Sequence, residues 1–213
     1  MCVSIFDDYA LYENRANINL EIENKIDEYD EICTSLASNF EKISAIREKM
    51  CDEMYYLYAP DGTPSNEAWA HNIIGSLCAG EGVCDSYART FSLLLNYEGI
   101  DCLYVAGKSH NENHAWNLVL IDDYYYWFDC TWDDSNSELD DKYFAVGTYS
   151  FDDHTCDLPT GIGGSFLYAL PSNISSDNYI KKYDLYKNGE ELCKFTASQA
   201  AFDKMTDENG SYK

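Results

Sequence analysis

The chain has 213 residues, 46% of them hydrophobic and 15% aromatic, so it is long and apolar enough to bury a core and does not have a disordered composition. Its 14 Lys and Arg residues against 38 Asp and Glu residues give a net charge of −24. A surface this negative repels phosphate groups. Nucleic acid and anionic membrane are therefore excluded as expected partners, and a cationic partner, such as a basic protein or peptide substrate or an amine, is favoured.

The segment Met1–Leu20 carries Asp, Glu and Arg where a signal peptide would be apolar, and no apolar run approaches the roughly 20 residues of a membrane-spanning helix. We therefore expect a cytoplasmic protein. A secreted or cell-surface location stays open if a leader has been removed from the chain.

Nine cysteines are scattered along the chain without any CxxC pair. An odd number cannot all pair within one chain, and free thiols are typical of a reducing compartment. The pattern predicts free cysteines, one of which could be reactive, and no disulfide framework.

Residues 1–58 are predicted to form a helical N-terminal extension. Apolar residues recur there at helical spacing, at Phe40, Ile43, Ile46, Met50 and Met54. A break near Thr34–Asn39 separates two helices, because Ser38 and Glu41 have the spacing of a capping box at the start of the second. The turn-rich segment 59–64 ends this region.

Residues 59–170 are predicted to be the core, and between Gly75 and Asp134 the pattern alternates helix and strand. An amphipathic helix is expected from near Cys84 to just before Gly99, with its apolar face at Tyr87, Ala88, Phe91, Leu94 and Leu95. Three strands should follow, at Leu103–Gly107, Ala115–Ile121 and Tyr124–Asp129.

The last two of these strands are predicted to form a hairpin through Asp122 and Asp123. In that register the numbers of facing residues sum to 245. His114 then lies opposite Thr131, and Asp129 becomes its diagonal neighbour on the same face of the sheet.

Residues 171–213 are predicted to form C-terminal strands and a polar tail packed on the core. A short strand is expected there at Tyr183–Tyr186, and Asn188–Gly189 has the sequence of a tight turn.

Earlier in the chain, before residue 171, another short strand is expected at Tyr143–Val146. The Asp-rich segment 133–141 is expected to be a solvated loop.

Cys84 is the strongest candidate for chemistry. A cysteine in the first turn of a helix faces unpaired backbone N–H groups and the positive end of the helix dipole, both of which favour the thiolate. Gly80 and Gly82 would allow a sharp turn into the helix. A buried structural cysteine at a helix start is the alternative.

A nucleophilic thiol needs a base, and the predicted register makes His114 that candidate, with Asp129 close enough to orient its ring. A packing histidine and a strand-end capping aspartate are the alternatives when each residue is considered alone. Their compatible register favours the catalytic interpretation.

Three sequence blocks, Gly82–Ala88, His114–Asn117 and Trp127–Asp134, resemble the transglutaminase-like superfamily in both order and spacing. The resemblance spans about residues 40–155, including Tyr143, Phe144 and His154 after the third block. It implies an α+β fold with a papain-like core, in which a nucleophile helix packs on an antiparallel sheet. It also implies Cys84 as nucleophile, His114 as general base and acid, and Asp129 as orienting carboxylate.

The sequence departs from the papain-like pattern in one respect. Papain-like proteases have an oxyanion-hole glutamine six residues before the nucleophile, and Cys78 stands there in this chain. The resemblance therefore leaves the side chain that would stabilise an oxyanion unassigned.

A zinc site formed by Cys78, Cys84, His110 and His114 is a rival interpretation, although the cysteine spacing is loose and a strand would separate the histidines by about 13 Å. We predict no cofactor and no metal. The predicted function is a thiol enzyme that acts on peptide or glutamine amides, most simply by hydrolysis. Amine transfer, which would cross-link proteins, and a non-catalytic binding module are the alternatives.

Overall fold

The computed structural model describes residues 12–134, 139–156, 170–187 and 190–197. It has an α+β fold in which helices pack on an antiparallel sheet, as the sequence predicts. The helices are α1 (Tyr12–Cys33), α2 (Asn39–Glu53), α3 (Cys84–Tyr97) and the short α4 (Cys130–Asp133). The strands are β1 (Tyr55–Tyr56), β2 (Glu81–Gly82), β3 (Cys102–Ser109), β4 (Glu112–Ile121), β5 (Tyr124–Phe128), β6 (His154–Cys156), β7 (Lys181–Lys187) and β8 (Glu190–Ala197).

The central sheet has four strands in the order β5, β4, β3, β6, and each neighbouring pair is antiparallel. Helix α3 packs on this sheet, where the ring of Phe91 lies 5.8 Å from the ring of Phe128. Strands β1 and β2 form a separate parallel pair beside the start of α3. Strands β7 and β8 pair with each other.

Helices α1 and α2 are separated where the sequence predicts the break. Ser38 is the N-cap of α2, and its hydroxyl accepts a hydrogen bond from the Glu41 N–H at 3.2 Å. The Glu41 carboxylate accepts one from the Ser38 N–H in return, at 3.0 Å. The predicted capping box is confirmed.

Both predicted apolar faces are buried. In α2, Ile43, Ile46 and Met50 are inaccessible to solvent, Phe40 is half-buried, and Met54 is buried one residue beyond the helix. In α3 the residues of the predicted face are all buried. These faces meet in one hydrophobic core between the helices and the sheet. The 3.6-residue period of each segment thus identified the inward side correctly.

The predicted hairpin register is confirmed, since Asn117 faces Phe128 and Ile121 faces Tyr124. The pairing ends there, because the chain leaves the strand at Asp129 and enters α4. The predicted position of Thr131 opposite His114 is therefore wrong.

Two weaker predictions have different outcomes. Tyr183–Tyr186 lies within β7, which confirms that strand. Tyr143–Val146 is not a strand, because Val146 makes only an isolated bridge with Trp127. The predicted turn at Asn188–Gly189 and the polar tail from residue 198 lie outside the described residues. The division of the chain at residues 58 and 170 stays a prediction.

None of the helices in the described ranges is long and apolar enough to cross a membrane. Within the same ranges the cysteines with described side chains are free thiols, at Cys33, Cys51, Cys78, Cys84, Cys102, Cys130 and Cys156. This agrees with the prediction that these cysteines do not form a disulfide framework.

A buried ion pair anchors the segment that follows α4. The Arg47 guanidinium in α2 donates to Asp133 at 2.8 Å and to Asp141 at 2.8 Å, and both Arg47 and Asp133 are almost completely buried. The Asp133 carboxylate also accepts the Tyr143 N–H at 2.8 Å. The Asp-rich segment is therefore not simply a solvated loop, since its first residue is a core anchor.

We expect Arg47→Met to lower the free energy of unfolding by about 3–5 kcal/mol, because it leaves the Asp133 carboxylate buried without its partner. Urea denaturation measures this change. Lys25→Met breaks an exposed pair with Glu28 and should cost at most about 1 kcal/mol. Equal losses for the two variants would contradict the anchoring role of Arg47.

Candidate active site

Cys84 is the first residue of α3 and is partly exposed at the helix N-terminus. The chain reaches it through Gly80, whose φ of +67° lies in the left-handed region, and Gly82, where an added Cβ would lie 2.5 Å from the Ser86 Cβ. Glycine is favoured at both positions for these reasons. The predicted glycine turn into the helix is present.

His114 lies in β4 and links the other two candidate residues. Its Nε2 donates to Asp129 Oδ2 at 2.6 Å, and its ring also forms a side-chain hydrogen bond with Cys84. The structure therefore brings together the three residues that the sequence analysis selected.

The electrostatics of this group favour an imidazolium. Burial alone would lower the pKa of His114, but hydrogen bonds with Asp129 and Cys84 outweigh it and raise the pKa to about 9. Burial opposes the ionisation of Asp129, yet hydrogen bonds from His114 and His154 hold its pKa below the ordinary value. A protonated His114 beside an ionised Asp129 is the result at neutral pH.

Asp129 uses its two carboxylate oxygens for different purposes. Oδ1 caps α4 by accepting the N–H groups of Thr131 and Trp132, each at 3.1 Å. Oδ2 accepts from His114 and, at 3.0 Å, from His154 Nε2. Asp129 is thus a helix cap as well as the partner of His114, and the cap holds its second oxygen toward the two rings.

His154 is the residue of this site whose contact the sequence analysis did not predict. Its side chain is fully buried, its Nδ1 lies 2.7 Å from Asp153 Oδ1, and its ring stacks on Phe151 at 3.9 Å. The sequence signal for His154 was its place in the segment after the third block, which resembles the corresponding segment of the family. Nothing in that signal indicated a hydrogen bond to Asp129.

The structure does not gather the rival zinc set. Cys78 hydrogen-bonds with Glu21 on α1, whereas Cys84 contacts His114. Among the described residues, the group close enough to hold a metal ion is His114, Asp129 and His154, with ligand atoms within 4.8 Å of one another. Hydrogen bonds from both imidazoles to one carboxylate oxygen account for that closeness.

A cavity of about 830 Å³ lies beside His114. It is lined by four carboxylate residues and four aromatic ones, Glu48, Asp52, Glu112, Asp134, Tyr55, Tyr56, Tyr58 and Trp132. None of the described residues that line it is a lysine or arginine. The cavity is therefore suited to a chain with cationic groups and apolar stems.

Residues 29–131 match the model of a protein family described as the transglutaminase-like superfamily. No curated protein matches the chain. Among solved structures, a TGase aligns with 60% of this chain and 35% of its own, at 16% identity and a TM-score of 0.48.

Two further structures are described as a "putative protease" from Parabacteroides distasonis and a "putative cysteine protease" from Cytophaga hutchinsonii. The first aligns with 53% of this chain and 25% of its own, at 12% identity and a TM-score of 0.39. The second aligns with 65% of this chain and 41% of its own, at 16% identity and a TM-score of 0.42. In every case the chain spans less than half the length of the matched structure.

The family match covers the helix that carries Cys84 and the strands that carry His114 and precede Asp129. Its last residue, Thr131, lies in the short helix that Asp129 caps. Residues 29–131, which include all three candidate residues, therefore match a core domain of the transglutaminase-like superfamily.

Proposed function

We propose that this protein is a thiol enzyme that cleaves peptide or glutamine amides through a thioester on Cys84, and that water is its usual acceptor. One observation carries the proposal: His114 hydrogen-bonds both with Cys84, at a helix N-terminus, and with the buried Asp129. This arrangement supplies a nucleophile, a base and an orienting group.

The proposed reaction begins with the Cys84 proton held on His114, so that the sulfur attacks the amide carbonyl as a thiolate. The carbon–nitrogen bond of the tetrahedral intermediate then breaks, and His114 gives its proton to the leaving amine. A water molecule, deprotonated by His114, attacks the thioester and releases a carboxylic acid and the thiol. Asp129 holds the His114 ring in place and stabilises its charge throughout.

The acidic cavity supports a basic peptide or protein as substrate. Its carboxylates would attract lysine or arginine side chains, and its aromatic rings would pack on their stems. The same observation favours amine transfer as the second candidate function, since a lysine or polyamine would also concentrate there.

We expect hydrolysis to exceed amine transfer. Tyr55 and Tyr58 at the cavity are strongly exposed, and selective transfer requires water to be kept from the thioester. The test incubates the protein with glutamine-containing basic peptides, with and without a dansyl-labelled primary amine, and measures free acid, ammonia and labelled product by mass spectrometry.

Predominant incorporation of the amine would replace hydrolysis by cross-linking as the function. If neither product forms while Cys84 still reacts with alkylating agents, the non-catalytic binding module becomes the better interpretation. Added salt should weaken turnover of basic peptides more than that of neutral ones, because charge attraction is screened.

We also expect Cys84 to be alkylated at least about ten-fold faster than the other thiols near neutral pH, because it lies partly exposed at a helix N-terminus beside His114. Cys78 is the matched control. It too is partly exposed, but burial and Glu21 raise its pKa to about 11. Iodoacetamide labelling with peptide mapping measures both rates, and equal rates would contradict the nucleophile assignment.

A further inference from the structure

Thioester chemistry passes through a tetrahedral oxyanion, which needs hydrogen-bond donors. The backbone N–H of Cys84 at the start of α3 is one candidate donor. Cys78, at the sequence position of the papain-like glutamine, does not offer a second, because its thiol hydrogen-bonds with Glu21 on α1. The second donor must come from another element.

Strand β1 brings a phenol to this position. Tyr56 faces Gly82, two residues before Cys84, and the pairing is held by the Tyr55 N–H on the Gly80 carbonyl at 3.0 Å and the Leu57 N–H on the Gly82 carbonyl at 2.9 Å. Tyr56 is thereby fixed to the same short segment that positions the candidate nucleophile.

The Tyr56 side chain is directed toward the site. It lines the cavity together with His114, and its ring stacks on Tyr87, one turn into α3, at 6.4 Å between ring centres. Its hydroxyl oxygen accepts a hydrogen bond from the Cys84 N–H. Burial raises the pKa of Tyr56 well above its ordinary value, so the phenol stays neutral and keeps a proton to donate.

We propose that the Tyr56 hydroxyl and the Cys84 N–H together form the oxyanion hole. The substrate carbonyl oxygen would replace the Tyr56 oxygen as the acceptor of the Cys84 N–H, and it would also accept the phenol proton as negative charge develops on it. This assignment rests on the proposed thioester function and names the donor that the missing glutamine leaves open.

The test compares two reagents that attack the same thiol. Acylation by 4-nitrophenyl acetate forms a sulfur–carbon bond through an oxyanion and releases 4-nitrophenolate, whereas alkylation by iodoacetamide forms a sulfur–carbon bond and releases iodide without an oxyanion. We expect Tyr56→Phe to slow Cys84 acylation about 100-fold and to leave its alkylation within about two-fold of the wild-type rate.

Tyr97→Phe is the control, because Tyr97 lies at the opposite end of α3 from Cys84, is 55% exposed and is not among the described residues that line the cavity. Both of its rates should stay at wild-type values, and Cys84→Ala supplies the background. If the acylation rate of Tyr56→Phe lies within about three-fold of the wild-type rate, the assignment is overturned. A parallel fall of both rates would also overturn it, because Tyr56 would then act by placing Cys84.

Failure of the underlying function has a different signature. A wild-type protein that is alkylated at Cys84 but never acylated by the ester would contradict the thioester proposal itself, and the assignment of Tyr56 with it. Acylation of the wild type with no effect of Tyr56→Phe contradicts the assignment alone.

Discussion

Replacing His114 by glutamine is expected to lower the turnover of any amide substrate by about 10⁴-fold. In the proposed mechanism, the variant removes the group that holds the thiol proton and gives it to the leaving amine, and loss of general acid–base catalysis alone costs about 10²–10⁴-fold. When catalytic residues act as one unit, removing one of them costs about as much activity as removing all of them. Steady-state kinetics with the best peptide from the library measures the loss.

Glutamine can still hydrogen-bond with Asp129, so the fold should be retained, and circular dichroism checks this. Gln substitution of His110 is the control, since that histidine is exposed and lies at a turn. Its variant should keep turnover within about three-fold. Comparable losses in both variants would contradict the specific role of His114.

The same variant tests the electrostatics of the site. The pKa of His114 is raised from 6.5 to about 9, so the protonated ring stabilises the folded chain. That contribution is complete below pH 6.5 and is lost as the pH rises through about 9. Urea unfolding should therefore show wild type and His114→Gln diverging at pH 6 and converging above pH 9.5. A constant difference across this range would contradict the raised pKa.

Asp129→Asn is expected to lower turnover by about 10³–10⁴-fold, because the amide cannot reproduce both functions of the carboxylate. If the amide oxygen continues to cap α4, the NH₂ group faces the N–H groups of His114 and His154. These groups are all hydrogen-bond donors, so both histidines lose their acceptor. His114 then adopts the wrong tautomer or turns away from Cys84. The measurement is kcat, together with the pKa of His114 by NMR, which should fall.

Asp153→Asn is the matched control. Asp153 makes the other carboxylate contact of His154, at 2.7 Å, and its side chain is partly exposed. The Asp153→Asn variant removes a negative charge that lies one contact further from Cys84, so we expect turnover to fall less than about ten-fold. Similar losses in the two variants would indicate that net charge, and not the Asp129 contact, governs His114.

Much of this fold could be predicted because its determinants are local. The capping box of Ser38 and Glu41 depends on residues three apart, and the apolar faces of α2 and α3 follow from the helical period. The hairpin register follows from a two-residue turn, after which each pair of facing residues is determined. That register is sufficient to bring His114 near Asp129.

The register argument stopped where backbone pairing stops. It placed Thr131 opposite His114, whereas the chain turns into α4 because Asp129 caps that helix with one oxygen. The contact between His114 and Asp129 survives because the other oxygen stays directed toward the ring. A period-two pattern carries no information about a strand that ends in a capped helix.

By itself, then, the amino-acid sequence determined the helices, the hairpin and the three candidate residues of the site, all of which depend on spacing along a short stretch of chain. Only the tertiary structure decided their surroundings: His154 on the same carboxylate oxygen of Asp129 as His114, Arg47 in the core against Asp133, and Tyr56 beside the start of α3. Each of these contacts joins residues that lie about 25 to 86 positions apart. They form because separate elements pack against one shared core, and no local period encodes which of them will meet.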